Sequence, residues 1–73
     1  MKRFMFRKEG KDFVVYDNLN SEIFYVNKTG KLILELFSKG KPRADIADKI
    51  SKKYGISIED AEKDIENFLK YLR

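Results

Sequence analysis

A chain of 73 residues with a formal net charge of +4 has room for one small domain, whose core can only just suffice. It contains neither cysteine nor histidine, which excludes disulfide staples, thiolate chemistry and most metal-site designs. The basic N-terminal stretch Met1 to Lys8 has no apolar run long enough for a signal peptide or a membrane span, so a cytoplasmic protein with no membrane partner is expected.

Charge is distributed unevenly along the chain. Residues 1–11 carry +4, residues 12–26 carry −3, residues 27–56 carry +5 and residues 57–73 carry −2. Lys2 to Arg7 alternates imperfectly, with Phe4 and Phe6 on one side, and reads as a first strand. Glu9-Gly10-Lys11-Asp12 reads as a turn. Phe13 to Tyr16, with two valines, reads as a second strand. Asp17 to Ser21 is rich in turn formers, and Glu22 to Val26 is β-branched or aromatic after its first residue, a third strand. Three short strands with short connections predict an antiparallel meander.

Asn27 joins the third strand to a helix running to about Ser38, with Leu32, Ile33, Leu36 and Phe37 on one face. Asn27 is a natural cap for that helix, and Thr29 could serve two residues later. Gly40 is placed to end it. A second helix, from about Pro42 to Tyr54, carries Ile46, Ala47, Ile50 and Tyr54 on its apolar face and stops at Gly55. Ser57 with Asp60 gives a capping-box-like start to a third helix, whose stripe is Ile58, Ala61, Ile65, Phe68, Leu69 and Leu72. The fold class expected is α+β: a three-stranded antiparallel β-meander followed by three helices, winged helix-turn-helix-like with the sheet placed first, forming a single domain over residues 1–73.

Enzyme chemistry finds little to work with. Ser21, Ser38, Ser51 and Ser57 have no base nearby in sequence, and the acids Glu59, Asp60, Glu62, Asp64 and Glu66 read as a helix start followed by a solvated face. Gly30-Lys31 and Gly40-Lys41 lack the glycine spacing of a phosphate loop. The expectation is a protein that is not an enzyme, with no catalytic residues, no metal ligands and no cofactor. A winged-helix DNA-binding regulator is the alternative reading. It is disfavoured because the helix in the reading position is acidic, and phosphate contacts supply most of the affinity for duplex DNA.

Peptide binding fits better. A meander leaves two strand edges unpaired, and an edge can accept an extended peptide as an additional strand. If the third strand lies at an edge beside the third helix, the two make a groove with Ile23, Phe24, Tyr25 and Val26 on one wall and Ile65, Phe68, Tyr71 and Leu72 on the other, although Ile65, Phe68 and Leu72 are more often core. Asn67 and Tyr71 lie off the main stripe of the third helix and are the better surface candidates. Backbone groups of Glu22 to Val26 are expected to pair with the peptide. The same edge allows a homodimer, or docking to an enzyme as a structural subunit.

Across Tyr25 to Phe37, the run Y-V-N-K-T-G-K-L-I-L-E-L-F resembles the PqqD family. That family's hallmark is an aromatic-rich strand leading into an N-x-T helix start, then a hydrophobic helix ending near a glycine. The continuation I-A-D-K-I-S-K-K-Y-G-I and the acidic helix D-A-E-K-D-I-E-N-F-L-K-Y-L are similar as well, so the resemblance covers almost the whole chain, most firmly from Val14. It implies a peptide chaperone, or recognition element, for ribosomally made peptides (RiPPs) that are later modified. The leader peptide would add to Glu22–Val26, lie against the third helix around Asp64 to Leu72, and be presented to a modifying enzyme, commonly a radical S-adenosylmethionine protein. The chain's end at Arg73 points to a stand-alone protein of this kind.

Overall fold

The computed structural model describes residues 2–70. They form β1 (Phe4–Glu9), β2 (Asp12–Asp17), β3 (Glu22–Val26), α1 (Lys28–Ser38), α2 (Arg43–Tyr54) and α3 (Ile58–Leu69). The sheet is antiparallel in the order β1-β2-β3, so β1 and β3 are its two edges. The architecture is the expected meander followed by three helices.

The first hairpin is tighter than the sequence suggests. Glu9 pairs with Asp12, leaving only Gly10-Lys11 as the turn. Gly10 takes a φ of +61°, the first-position geometry that two-residue hairpin turns of the II′ kind require. β1 therefore begins later and ends later than expected. Asp17 also leaves its expected turn. It pairs with Glu22 at the end of β2, and its carboxylate organises the connection that follows.

The helices start and stop on local chemistry. The Asn27 side chain accepts a hydrogen bond from the Gly30 N–H at 2.9 Å, so Asn27 rather than Thr29 caps α1. At the other end, Gly40 N–H donates to the Phe37 carbonyl and Lys41 N–H to the Leu36 carbonyl. That bonding pattern, with Gly40 at φ +78°, is a Schellman ending. Pro42 sits at the N-cap of α2, one position before the helix, and Gly55 follows α2 in the left-handed region. Ser57 accepts from the Asp60 N–H at 3.1 Å and opens α3.

Two apolar clusters share α1. Ile33 and Leu36 pack with Ile46, Ala47, Ile50, Ala61 and Ile65 among the helices. Leu34 packs with Phe4, Val15 and Val26 against the sheet. Phe68 borders both clusters and so joins them. This sandwiching corrects the expected apolar face of α1. A helix covered on two sides buries more than one stripe, so Leu34 is buried while Phe37 is 38% exposed. Tyr54 and Ile58, also expected on apolar faces, are exposed because each lies at an end of its helix.

Candidate functional site: the edge of the third strand

The hydrogen-bond phase of the sheet decides what β3 offers. The Asn18 N–H donates to the Arg3 carbonyl at 2.7 Å, which makes residues 3 and 18 a bonded pair in the β1–β2 register. Bonded and non-bonded pairs alternate along an antiparallel ladder. β2 therefore turns the backbones of Phe13, Val15 and Asp17 towards β3, where they meet Val26, Phe24 and Glu22. The N–H and C=O groups of Ile23 and Tyr25 face away from β2, into the open edge. Of the expected backbone partners Glu22 to Val26, only these two are directed outward; Glu22, Phe24 and Val26 are engaged with β2.

Side chains alternate by face. Phe24 and Val26 point inward and belong with Phe68 to the sheet-side cluster, Val26 being buried and Phe24 half-buried. Ile23 and Tyr25 point to the outer face and are 63% and 72% exposed. Val14, on the same outer face but in the central strand between Arg7 and Tyr25, is nonetheless buried.

A cavity of about 340 Å³ opens where α3 passes the start of α1. Asn27, Thr29, Gly30 and Ile33 line it from one side, and Asp64, Asn67 and Phe68 from α3. The Phe68 ring can lie there because residue 30 has no side chain. A Cβ on Gly30 would stand 2.9 Å from Phe68 Cε2 and 3.0 Å from Val26 Cβ, closer than packed carbons approach. Asp64 and Asn67 are exposed at the mouth.

Of the site residues expected from sequence, Asp64, Asn67 and Phe68 thus come together at one cavity. Ile65 does not join them. It is fully buried among the helices, because the position three before Phe68 on the same helix turns inward to Ala61 and Ile50. Val26 is likewise turned into the core and offers no side-chain surface. Tyr71 and Leu72 lie outside the described residues. Sequence reasoning missed Asn27, Thr29, Gly30 and Ile33 as cavity walls. The signal was present at Gly30, since a glycine inside a helix costs about 1 kcal/mol and calls for a packing reason.

A second polar feature sits at the other end of β3, where Asp17 pairs with Glu22. Asp17 is 3% exposed. Its carboxylate accepts from the Arg3 guanidinium at 3.1 and 3.2 Å and from the Leu19 and Asn20 backbone N–H groups at 3.0 and 3.4 Å. The Arg3 hydrogen bond, helped by those N–H groups, holds the Asp17 carboxyl below its ordinary range against the opposing effect of burial. This carboxylate fixes the loop that delivers the chain to β3. It is occupied structurally and is not exposed to act on a ligand.

What remains is a strand edge with outward-facing backbone groups and, just past the end of that strand, a cavity lined by Ile33 and Phe68 together with Asn27, Thr29, Asp64 and Asn67. That combination suits an extended peptide. Among the described residues, no group of acidic side chains is arranged to hold a metal ion, and no helix is long and apolar enough to cross a membrane. The sequence profile of the family described as "Coenzyme PQQ synthesis protein D (PqqD)" matches residues 12–73. The chain belongs to the PqqD family. Two solved structures share its fold. "Lasso peptide synthetase B1 complexed with the leader peptide" is 26% identical, with a TM-score of 0.76, over 96% of this chain and 82% of that one. "TbiB1 in Complex with the TbiA(beta) Leader Peptide" is 24% identical, with a TM-score of 0.74, over 99% of this chain and 87% of that one. No curated protein matches the chain.

Proposed function

We propose that this PqqD-family protein binds the leader segment of a ribosomally synthesised precursor peptide by strand addition to β3 and presents it to a modifying enzyme. The observation that carries this reading is the outward-facing backbone of Ile23 and Tyr25, with the cavity closed by Phe68 just past the end of the strand. Membership in the PqqD family supports it, as do the leader peptides named with both structural neighbours. The protein holds a substrate and catalyses nothing itself; the modifying enzyme is of the radical S-adenosylmethionine type, and the encounter takes place in the cytoplasm, where the precursor is made.

The geometry divides the labour. Main-chain bonds from Ile23 and Tyr25 align the leader without reading its sequence. An apolar leader side chain on the inner face enters the cavity against Phe68 and Ile33, and each fully buried aliphatic or aromatic side chain contributes about 1.5–3 kcal/mol. Asp64 and Asn67 select polar neighbours at the mouth. The DNA-binding alternative gains nothing from the structure, because α3 exposes Glu59, Asp60, Glu62, Asp64 and Glu66 where a reading helix needs to approach phosphates.

The test is an NMR titration of the labelled protein with the leader segment of a precursor encoded beside it. Shifts are expected at the Ile23 and Tyr25 amides and around Asn67 and Phe68. Shifts absent from β3, or produced by duplex DNA on α1 and α2 with none from peptide, would overturn the reading.

A further inference from the structure

The opposite edge of the sheet carries a second groove. Arg3 is bonded to Asn18, so alternation turns the backbones of Phe4, Phe6 and Lys8 outward from β1. Beside this edge, the second half of α1 forms a wall, and between them lies a cavity of about 810 Å³. Its apolar surface includes Phe6 and the 38% exposed Phe37. Its charged lining is basic: Lys2, Arg3, Lys31 and Lys39 against a single acid, Glu35. Glu35 is already paired with Lys31 at 2.8 Å, and Arg3 is held by Asp17. The last carbonyls of α1 are taken up by the N–H groups of Lys39, Gly40 and Lys41, which blunts the negative end of that helix.

We infer that the β1–α1 groove docks an extended acidic segment of a second protein, added as a strand to β1 with an apolar side chain against Phe37. Three features select this occupant. An edge with outward N–H and C=O groups is satisfied by another strand. Exposed Phe37, beside Phe6, suits an apolar side chain rather than a phosphate backbone. With Lys31 engaged by Glu35 and Arg3 by Asp17, Lys2 and Lys39 leave the lining net basic, which favours carboxylates that steer and orient more than they tighten. β2 separates this edge from β3, so both grooves can be filled at once. Part of the groove is built from residues before Asp12, outside the segment that matches the family profile. Taken with the function proposed above, the second protein is the modifying enzyme, which must approach while the leader occupies β3; the groove itself does not depend on that reading.

The experiment titrates the labelled intact protein with a short synthetic peptide alternating Glu with Val around one Phe, and separately with its Lys-for-Glu twin and with a short single-stranded DNA. The acidic peptide is expected to shift the amides of Phe4, Phe6, Lys8 and residues 37–39. It should do so equally well with leader peptide present, and Lys39→Glu should weaken it about fivefold. Equal binding of the basic twin, binding of the DNA in preference to the peptide, shifts at Ile23 and Tyr25 instead, or no shifts at all would each overturn the inference. A failed leader titration leaves this readout intact, so the two proposals fail separately.

Discussion

The two edges of the sheet offer the same backbone resource in opposite settings. β3 runs through the Asn27 cap directly into α1, and beyond its end lies a cavity whose wall, Phe68, is also the joint between the two apolar clusters. β1 faces a groove whose wall is made of surface side chains, mostly basic. Main-chain pairing cannot distinguish partners, so the flanking helix decides which partner each edge accepts. The difference also sets what each groove can tolerate. The β3 side meets the core at Phe68 and Gly30, whereas on the β1 side Lys39 stands on the groove wall with no part in the core and can be recharged.

The strongest way to break that comparison is at Gly30. Gly30→Val should force Phe68 and Val26 apart and cost about 1–3 kcal/mol by overpacking. For a domain of this size, 1 kcal/mol corresponds to a fall of roughly 4–8 °C in melting temperature. Lys39→Glu, on the wall of the other groove, should stay within about 0.5 kcal/mol of the parent. Thermal unfolding followed by circular dichroism measures both. Equal losses would show that the two walls are not distinguished by their tie to the core.

Asp17 ties the edges together, because its carboxylate holds Arg3 just before β1 and the loop that leads into β3. Asp17→Asn removes the charge from the Arg3 pair and should cost about 1–2 kcal/mol at neutral pH. The pH dependence has a definite sign. The folded carboxyl is held below the ordinary value of 3.8, so its stabilisation is complete above that value. As pH falls below it, the unfolded chain takes up the proton first. The contribution then declines, and it is gone once the folded carboxyl protonates. Melting temperature measured from neutral to acid pH should therefore fall with a component that Asp17→Asn lacks. Parallel acid limbs for the two proteins would mean that Asp17 is not the brace described.

Much of the fold could be read from the sequence because it is written locally. The caps Asn27 and Ser57, the stops Gly40 and Gly55, and the boundaries of β3 each depend on a few adjacent residues. Features that depend on what lies across the molecule could not be read the same way. Phe37 and Leu34 exchange their expected exposure because α1 is covered by the sheet as well as by helices. Ile65 and Phe68 sit on one apolar stripe, yet only Phe68 reaches the cavity, since helix rotation relative to β3 is fixed by packing with α2. Asp17 reads as a turn former until Arg3 is brought to it from fourteen positions away. The choice of Ile23 and Tyr25 as the outward pair depends on hydrogen-bond phase, which side-chain alternation alone does not reveal.

That phase gives the smallest and sharpest test, because it can be probed at both edges by the same change. Proline removes an N–H, is tolerated on edge strands where that N–H faces outward, and asks only that the preceding residue be extended. Phe24 precedes Tyr25 and Arg7 precedes Lys8, each within its strand. Tyr25→Pro and Lys8→Pro should therefore both preserve the β2 ladder and leave stability within about 1 kcal/mol. Their binding consequences should separate. Tyr25→Pro loses a main-chain bond of about 0.5–1.5 kcal/mol to the leader, up to roughly tenfold in affinity, and leaves the acidic peptide unaffected. Lys8→Pro should do the reverse. Isothermal titration of both variants with both peptides reads the four affinities. If Tyr25→Pro unfolds the domain while Phe24→Pro does not, the phase is inverted, and Phe24 rather than Tyr25 faces the open edge.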